Sequence, residues 1–285
     1  MFNILEKARV DLITIKQLSL DGQLLTEFNC PLERPLEDLW SHQSFFVHMI
    51  EGRKGWYAHD EEVLLGPGET AFVRKGATLL RQYLDQPSCV VLFFISDDFI
   101  CETLRSIGRE RRTVSNTLPP VFRIRTGLIM QSFFQGMLAH FHEAPPGNEL
   151  LRLKFRELLL AVVGDPHNAE VLNYFCSLLH DPAHERVRRV MEDNFRYNLH
   201  LDDFARLSGR SLSAFKRDFN EVFGMAPGRW LRERRLERAR TLLRTGALQV
   251  SEVAFQCGFE NVSHFSRAFK EQFGHAPGAV REAKA

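Results

Sequence analysis

Residues 209–230 read GRSLSAFKRDFNEVFGMAPGRW, and residues 259–280 read FENVSHFSRAFKEQFGHAPGAV. Ser213, Phe215, Arg217, Phe219, Phe223, Gly224 and Pro227 recur 50 positions later as Ser263, Phe265, Arg267, Phe269, Phe273, Gly274 and Pro277. Leu212, Phe215, Phe219 and Phe223, and their counterparts Val262, Phe265, Phe269 and Phe273, fall at helical spacing. Each copy therefore predicts an amphipathic helix with one buried aromatic stripe. The opposite face of the first copy carries Ser213, Lys216, Arg217 and Asn220, and that of the second carries Ser263, Ser266, Arg267 and Lys270. Two matching hydroxyl and basic faces predict one ligand that itself repeats.

Upstream of each copy, Leu201, Asp203, Ala205 and Gly209 match Val250, Glu252, Ala254 and Gly258 at an offset of 49. A small residue followed four positions later by a turn glycine, and then by a second helix, is the helix-turn-helix arrangement. Between the copies, residues 226–246 offer Trp230, Leu231, Leu236, Ala239, Leu242 and Leu243 for one buried face, with Pro227 at the start and Gly246 at the end. At about 1.5 Å per residue such a helix holds the motifs on the order of 30 Å apart, close to the roughly 34 Å of one B-DNA turn. An α-helix fits the major groove, where Arg, Lys and Ser read base edges while other basic groups neutralise phosphate. The structural alternative for Arg217 is an ion pair with Asp218 or Glu221, and for Arg267 one with Glu271. Arg232, Arg234, Arg235, Arg238 and Arg240 read mainly as a solvated face of the connecting helix, with phosphate contact by a few of them as the alternative.

The charge distribution suits a polyanion partner at this end, but a solvated charged surface would carry the same excess, so charge alone decides little. Net charge is +1, but residues 1–182 hold 18 Lys+Arg against 23 Asp+Glu, whereas residues 183–285 hold 19 against 13. Cys30, Cys89, Cys101, Cys176 and Cys257 are odd in number and contain no C-x-x-C pair, so neither a disulfide framework nor a zinc site is indicated. The N-terminal stretch lacks the pattern of an export signal, and no 18-residue apolar run occurs. These signs predict a cytoplasmic protein with no membrane partner.

From about residue 10 to 96 the pattern is short β-rich runs punctuated by turns. Ser44–Ile50, Gly55–His59, Glu62–Leu65, Thr70–Arg74, Thr78–Leu84 and Cys89–Ile95 are the clearest, and predict a small barrel or sandwich. A helix capped by Ser96 or Asp97 follows, running through Phe99, Leu104 and Ile107. After Leu118-Pro119-Pro120 come three apolar helices, about 126–142, 148–163 and 168–180, separated by APPG and GDP. They pack onto the strands or form a homodimer seam. Asp181-Pro182 is the expected boundary, giving 1–120 as a barrel, 121–182 as a helical dimerisation and linker region, and 183–285 as an all-α double-motif domain. The fold class is α+β with two domains.

The stretch Arg235–Val280, RLERARTLLRTGALQVSEVAFQCGFENVSHFSRAFKEQFGHAPGAV, resembles the signature of the AraC/XylS family of bacterial transcription regulators. The resemblance covers roughly residues 184–282. It implies a DNA-binding domain that places two recognition helices in successive major grooves of double-stranded DNA, and an activator acting with RNA polymerase. Carried over by position, the base-contacting places fall on Ser213, Lys216, Arg217, Val262, Ser263, Ser266 and Arg267, although spacing alone assigns Val262 to the buried stripe. The N-terminal part is similar to that family's cupin-like sensor barrel through EG at 51–52, GPGET at 66–70 and FVRKG at 72–76. A metal-binding cupin would need an H-x-H pair and a later His. Here His42 and His48 make no such pair, and residues 77–83 contain no His. No metal, cofactor or catalytic constellation is therefore expected, and His48 reads as a wall or core histidine. The effector is an unidentified small molecule or protein partner. Two competing readings are a metal-dependent cupin enzyme fused to DNA-binding repeats, and an adaptor acting mainly through protein contacts.

Overall fold

The run Cys89–Ile95 explains the architecture of the N-terminal half. All seven of its residues are buried, and strand geometry sends them alternately to two faces. Val91, Phe93 and Ile95 enter a core shared with helices, while Val90, Leu92 and Phe94 enter a core between two sheets. A strand needing cover on both faces reads as a continuous apolar run rather than an alternating one.

The computed structural model describes residues 1–10, 15–29, 34–58, 61–110, 118–143, 145–179 and 182–282. Cys30, His59 and Asp181, which entered the expectations above, lie outside them. The chain divides into two compact units, Met1–Asp181 and Pro182–Ala285.

In chain order the first unit contains β1 (Phe2–Asn3), α1 (Ile4–Val10), β2 (Ile15–Leu20), β3 (Gln23–Asn29), β4 (Leu36–Ser41), β5 (Ser44–Glu51) and β6 (Lys54–Ala58). Next come β7 (Glu61–Leu65), β8 (Thr70–Val73), β9 (Gly76–Gln82), β10 (Cys89–Ile95), α2 (Asp97–Ser106) and β11 (Val121–Ile124). It closes with α3 (Leu128–His142), α4 (Asn148–Gly164), a 3-10 turn at Pro166–Asn168 and α5 (Ala169–Leu178). The strands form a five-stranded sheet, β1-β4-β9-β6-β7, and a six-stranded sheet, β11-β8-β5-β10-β3-β2.

Of the expected barrel or sandwich, the described strands make the sandwich and not a closed barrel: two sheets face each other across Leu39, Trp56, Leu65 and Leu80 on one side and Phe45, Val47, Met49 and Leu92 on the other. A closed barrel has one interior, whereas the six-stranded sheet is apolar on both faces. Its second face is covered by α2–α5, through Phe99, Phe133, Phe134, Phe155 and Phe175. The helices of 121–182 thus share a core with the sheet, which accounts for their buried apolar residues but not for Leu128, Ile129, Leu150 and Leu153, which stay exposed. Ser96 supplies the cap of α2, its Oγ accepting from the Phe99 amide at 3.2 Å.

His48 on β5 belongs to this covered face. Its ring stacks on Phe134 at 3.8 Å, and Nδ1 lies 2.9 Å from the Thr70 hydroxyl, which receives a 3.0 Å hydrogen bond from Thr126. Burial pushes its pKa down to about 4.

The second unit is helical among its described residues: α6 (Ala183–Asn194), α7 (Leu201–Leu207), α8 (Leu212–Phe223), α9 (Pro227–Thr245), α10 (Val250–Gln256), α11 (Val262–Phe273) and α12 (Ala279–Glu282). No described helix of the chain is long and apolar enough to cross a membrane.

Candidate nucleic-acid interface

Local chemistry sets both motifs in the same way. The first helix of each is closed at its N-terminus by an acid three residues in: Asp203 accepts from the His200 amide at 2.9 Å, and Glu252 from the Gln249 amide at 2.6 Å. Each then ends at a glycine in the left-handed region, Gly209 (φ 65°) and Gly258 (φ 78°), which permits the sharp turn. The second helices start on side-chain caps. The Ser211 hydroxyl accepts from the Ala214 amide at 3.3 Å, and Asn261 Oδ1 accepts from the Ser263 and His264 amides at 2.8 and 3.0 Å. Both end at left-handed glycines, Gly224 and Gly274.

The aromatic stripes are buried at their centres and half-buried at their ends, Leu212 and Phe223 in α8 and Val262 and Phe273 in α11. Phe215 and Phe219 are fully covered in α8, as are Phe265 and Phe269 in α11. The connecting helix α9 grips both motifs. Trp230 stands edge-on to Phe219 at 5.9 Å, and Leu236, Ala239 and Leu243 enter the core of the second motif with Val253, Phe265 and Phe269. Nineteen residues give α9 a length of about 28 Å.

The opposite faces stay open. Ser213, Lys216, Arg217 and Asn220 on α8 are exposed, as are Ser263, Arg267 and Lys270 on α11. Ser266 is half-buried. Val262 is also half-buried, packed against the second motif's core, so it stands at the edge between the aromatic stripe and the open face.

The two arginines differ in their surroundings. Arg217 Nη2 donates to Asp218 Oδ1 at 3.3 Å, the alternative weighed for it from the sequence, yet its side chain remains 67% exposed. Asp218 itself is buried and is also approached by Arg210 Nε at 3.0 Å. The partner considered for Arg267, Glu271, instead pairs with Arg232 at 3.3 Å. No ion pair within 4.0 Å reaches Arg267 among the described residues. Glu221 is held by His184 Nε2 at 2.8 Å across from α6. His184, Asp218 and Glu221 bring ligand atoms within 4.8 Å of one another, but Asp218 already faces two guanidiniums, a setting that opposes a further cation.

The arginines of α9 are not one solvated face, and that expectation is corrected. Arg235 is drawn inward, donating to the carbonyls of Phe195 (2.7 Å), Tyr197 (2.6 Å) and Gly258 (3.1 Å). Arg234 lies 5.6 Å from the rings of Phe195 and Trp230, and Arg240 5.0 Å from that of Phe273. Their long stems can cover aromatic surface while keeping charge near water, which residue type alone does not reveal.

A helix-turn-helix domain family matches residues 204–283, and the N-terminal regulatory domain of ExsA matches residues 44–174. The transcriptional activator RhaS of Escherichia coli is 33% identical over 262 residues, covering 88% of this chain and 90% of that protein. The chain belongs to the AraC/XylS family of transcription regulators. The virulence regulon transcriptional activator VirF of Yersinia enterocolitica is 27% identical over 239 residues, 83% of this chain and 88% of that one. The regulator ExsA of Pseudomonas aeruginosa is 26% identical over 240 residues, 83% and 85% of the two chains. Among solved structures, apo ToxT from Vibrio cholerae aligns over 91% of this chain and 97% of its own at a TM-score of 0.43 and 14% identity.

For an AraC/XylS regulator the open faces carry the relevant chemistry. Arg and Lys donate to guanine O6 and N7, Asn pairs with adenine, and Ser hydroxyls serve either donors or acceptors. Sequence reasoning passed over Arg210, and took Asp218 only as an ion-pair partner of Arg217, not as a buried carboxylate shared by two guanidiniums. The available signal was an acid at 218 where the repeat has Ala268.

Proposed function

We propose that this AraC/XylS regulator activates transcription by reading double-stranded DNA with α8 and α11 in successive major grooves. Ser213, Lys216, Arg217 and Asn220 contact the first groove, and Val262, Ser263, Ser266, Arg267 and Lys270 the second. The observation that carries this reading is the pair of capped helices with buried aromatic stripes and open polar faces, joined by a helix anchored in both motifs. The relatives' description as activators supports recruitment of RNA polymerase in the cytoplasm.

In the same reading, residues 1–120 form the sensor, 121–182 a helical dimerisation and linker region, and 183–285 the DNA-binding domain. The regulatory-domain match over 44–174 supports a sensor that answers to a small molecule or a protein partner. Leu128, Ile129, Leu150 and Leu153 stay exposed on α3 and α4 after those helices have covered the sheet, which supports a homodimer built there.

The test is selection of duplexes from a randomised library by the full-length protein, followed by footprinting. Enriched duplexes with two protected major-groove segments about 10 base pairs apart on one face are expected. Their affinity should fall steeply as salt rises, because bound Lys and Arg release counterions. No enrichment, or a flat salt response, overturns the reading. Sedimentation of the parent and of Leu128→Glu tests the dimer, and a monomeric parent removes it.

A further inference from the structure

The two recognition helices look alike in sequence, but their arginines are held differently. Neighbouring residues on a helix point about 100° apart and do not normally face each other. The 3.3 Å contact between Arg217 Nη2 and Asp218 Oδ1 therefore requires the Arg217 side chain to curl around the helix. Asp218 can hold it because Asp218 is itself enclosed: its side chain is 5% exposed, and its other oxygen lies 3.0 Å from Arg210 Nε. Arg210, in the turn of the first motif, supplies the neutralising charge for that buried carboxylate. Arg217 spends one nitrogen on Asp218, while its 67% exposure leaves the rest of the guanidinium open. At the corresponding places of the second motif stand Glu260 and Ala268. Glu260 bonds Asn198 at 2.7 Å, Ala268 is buried in the core, and Glu271, the carboxylate on the helix of Arg267, pairs with Arg232, so Arg267 has no buried carboxylate beside it.

We propose that Asp218 is a positioning residue for DNA specificity: it fixes the direction of the Arg217 guanidinium, so that the first motif discriminates between bases while the second, with a free Arg267, tolerates more sequences. This rests on the DNA-reading function proposed above. A guanidinium aimed in advance meets a guanine edge in one geometry only, and mismatched bases leave it unpaired. An arginine without a brace can swing to a neighbouring acceptor or to phosphate. Asp218 brings no net repulsion to the DNA because Arg210 pairs with it inside the unit.

The experiment is a double-mutant cycle on full-length protein. The probes are the best duplex recovered by selection and the same duplex substituted at the base pair whose preference is lost in Arg217→Ala. The ratio of the two affinities is read for the parent, Asp218→Ala, Arg217→Ala and the double variant. Arg217→Ala should lower the ratio about tenfold or more. Asp218→Ala should lower it about tenfold when Arg217 is present and leave it unchanged when Arg217 is absent. An equal drop in both backgrounds, or no drop, shows that Asp218 only supports the fold and overturns the proposal. If Asp218→Ala does not fold, Asp218→Asn keeps the shape and one acceptor oxygen while removing the charge. It should lower the ratio roughly threefold in the Arg217 background alone, and an unchanged ratio overturns the proposal. Failure to enrich any duplex, or an Arg217→Ala variant that selects like the parent, counts instead against the assignment of α8 as a reading helix.

Discussion

The guanidinium of Arg235 donates to the carbonyl of Gly258 at 3.1 Å, tying the middle of the connecting helix to the turn of the second motif. The same group reaches the carbonyls of Phe195 and Tyr197 at 2.7 and 2.6 Å, beyond the end of α6. One side chain thus joins three segments that are far apart in sequence. Burial pulls its pKa below the ordinary arginine value, without cancelling its charge at neutral pH.

Arg235→Ala removes a donor from three carbonyls, of which only that of Tyr197 keeps another among the described residues, the Leu199 amide, and should destabilise the C-terminal unit by about 2–4 kcal/mol. Arg235→Lys should recover only a minor part, because one ammonium cannot span the positions that a planar fork reaches. Thermal unfolding of the full chain measures both. A variant that melts with the parent would mean that water replaces the guanidinium at no cost.

The two turn glycines should respond unequally to a methyl group. At Gly209 an added Cβ would meet only the flexible end of Arg186, at 3.4 Å. At Gly258 it would meet the Arg196 carbonyl at 2.9 Å and the Arg235 guanidinium at 3.0 Å. Gly209→Ala should cost about 1–2 kcal/mol, the strain of a left-handed alanine, and Gly258→Ala clearly more. Equal losses would show that Arg235 yields freely.

His48 predicts a pH dependence of the N-terminal unit. Its folded pKa of about 4 lies below the ordinary 6.5, so the unfolded chain binds more protons between those values. Stability is fully present above pH 6.5 and is lost as pH falls towards 4, by about 3 kcal/mol in total from this group. In His48→Gln that contribution is gone, so the stability gap between variant and parent at pH 7 should narrow or reverse near pH 4.5. A gap that stays constant would assign the acid sensitivity to other groups.

Arg217→Ala should weaken binding to a selected duplex more than Arg267→Ala, each by about 1–3 kcal/mol, with smaller effects on non-specific duplex. The first motif presents Lys216, Arg217 and Asn220 together, whereas the second offers two serines and Arg267 beside a half-buried valine. Titration by fluorescence anisotropy compares them directly. Equal losses would mean that the two motifs share base reading evenly.

Local rules made the C-terminal unit legible. Offset residues marked the repeat, and Pro227 and Gly246 marked the ends of α9, because caps and left-handed glycines act within a few residues of chain. The same holds for Ser96 at α2 and for the run Cys89–Ile95. What the sequence by itself determined was therefore the family, the two motifs and the faces that they leave open. The tertiary structure decided where long side chains go. Arg235 and Arg232 have the same chemistry and sit one helical turn apart, yet one is drawn against three carbonyls and the other pairs with Glu271 near the surface. It also decided that the apolar β10 is covered by a sheet on one face and by helices on the other, that the buried Asp218 faces Arg210 as well as Arg217, and that Glu271 pairs with Arg232 rather than Arg267. Those outcomes depend on which distant segments meet, and burial makes the energy of a charge depend on its neighbours in space rather than on its neighbours in the chain.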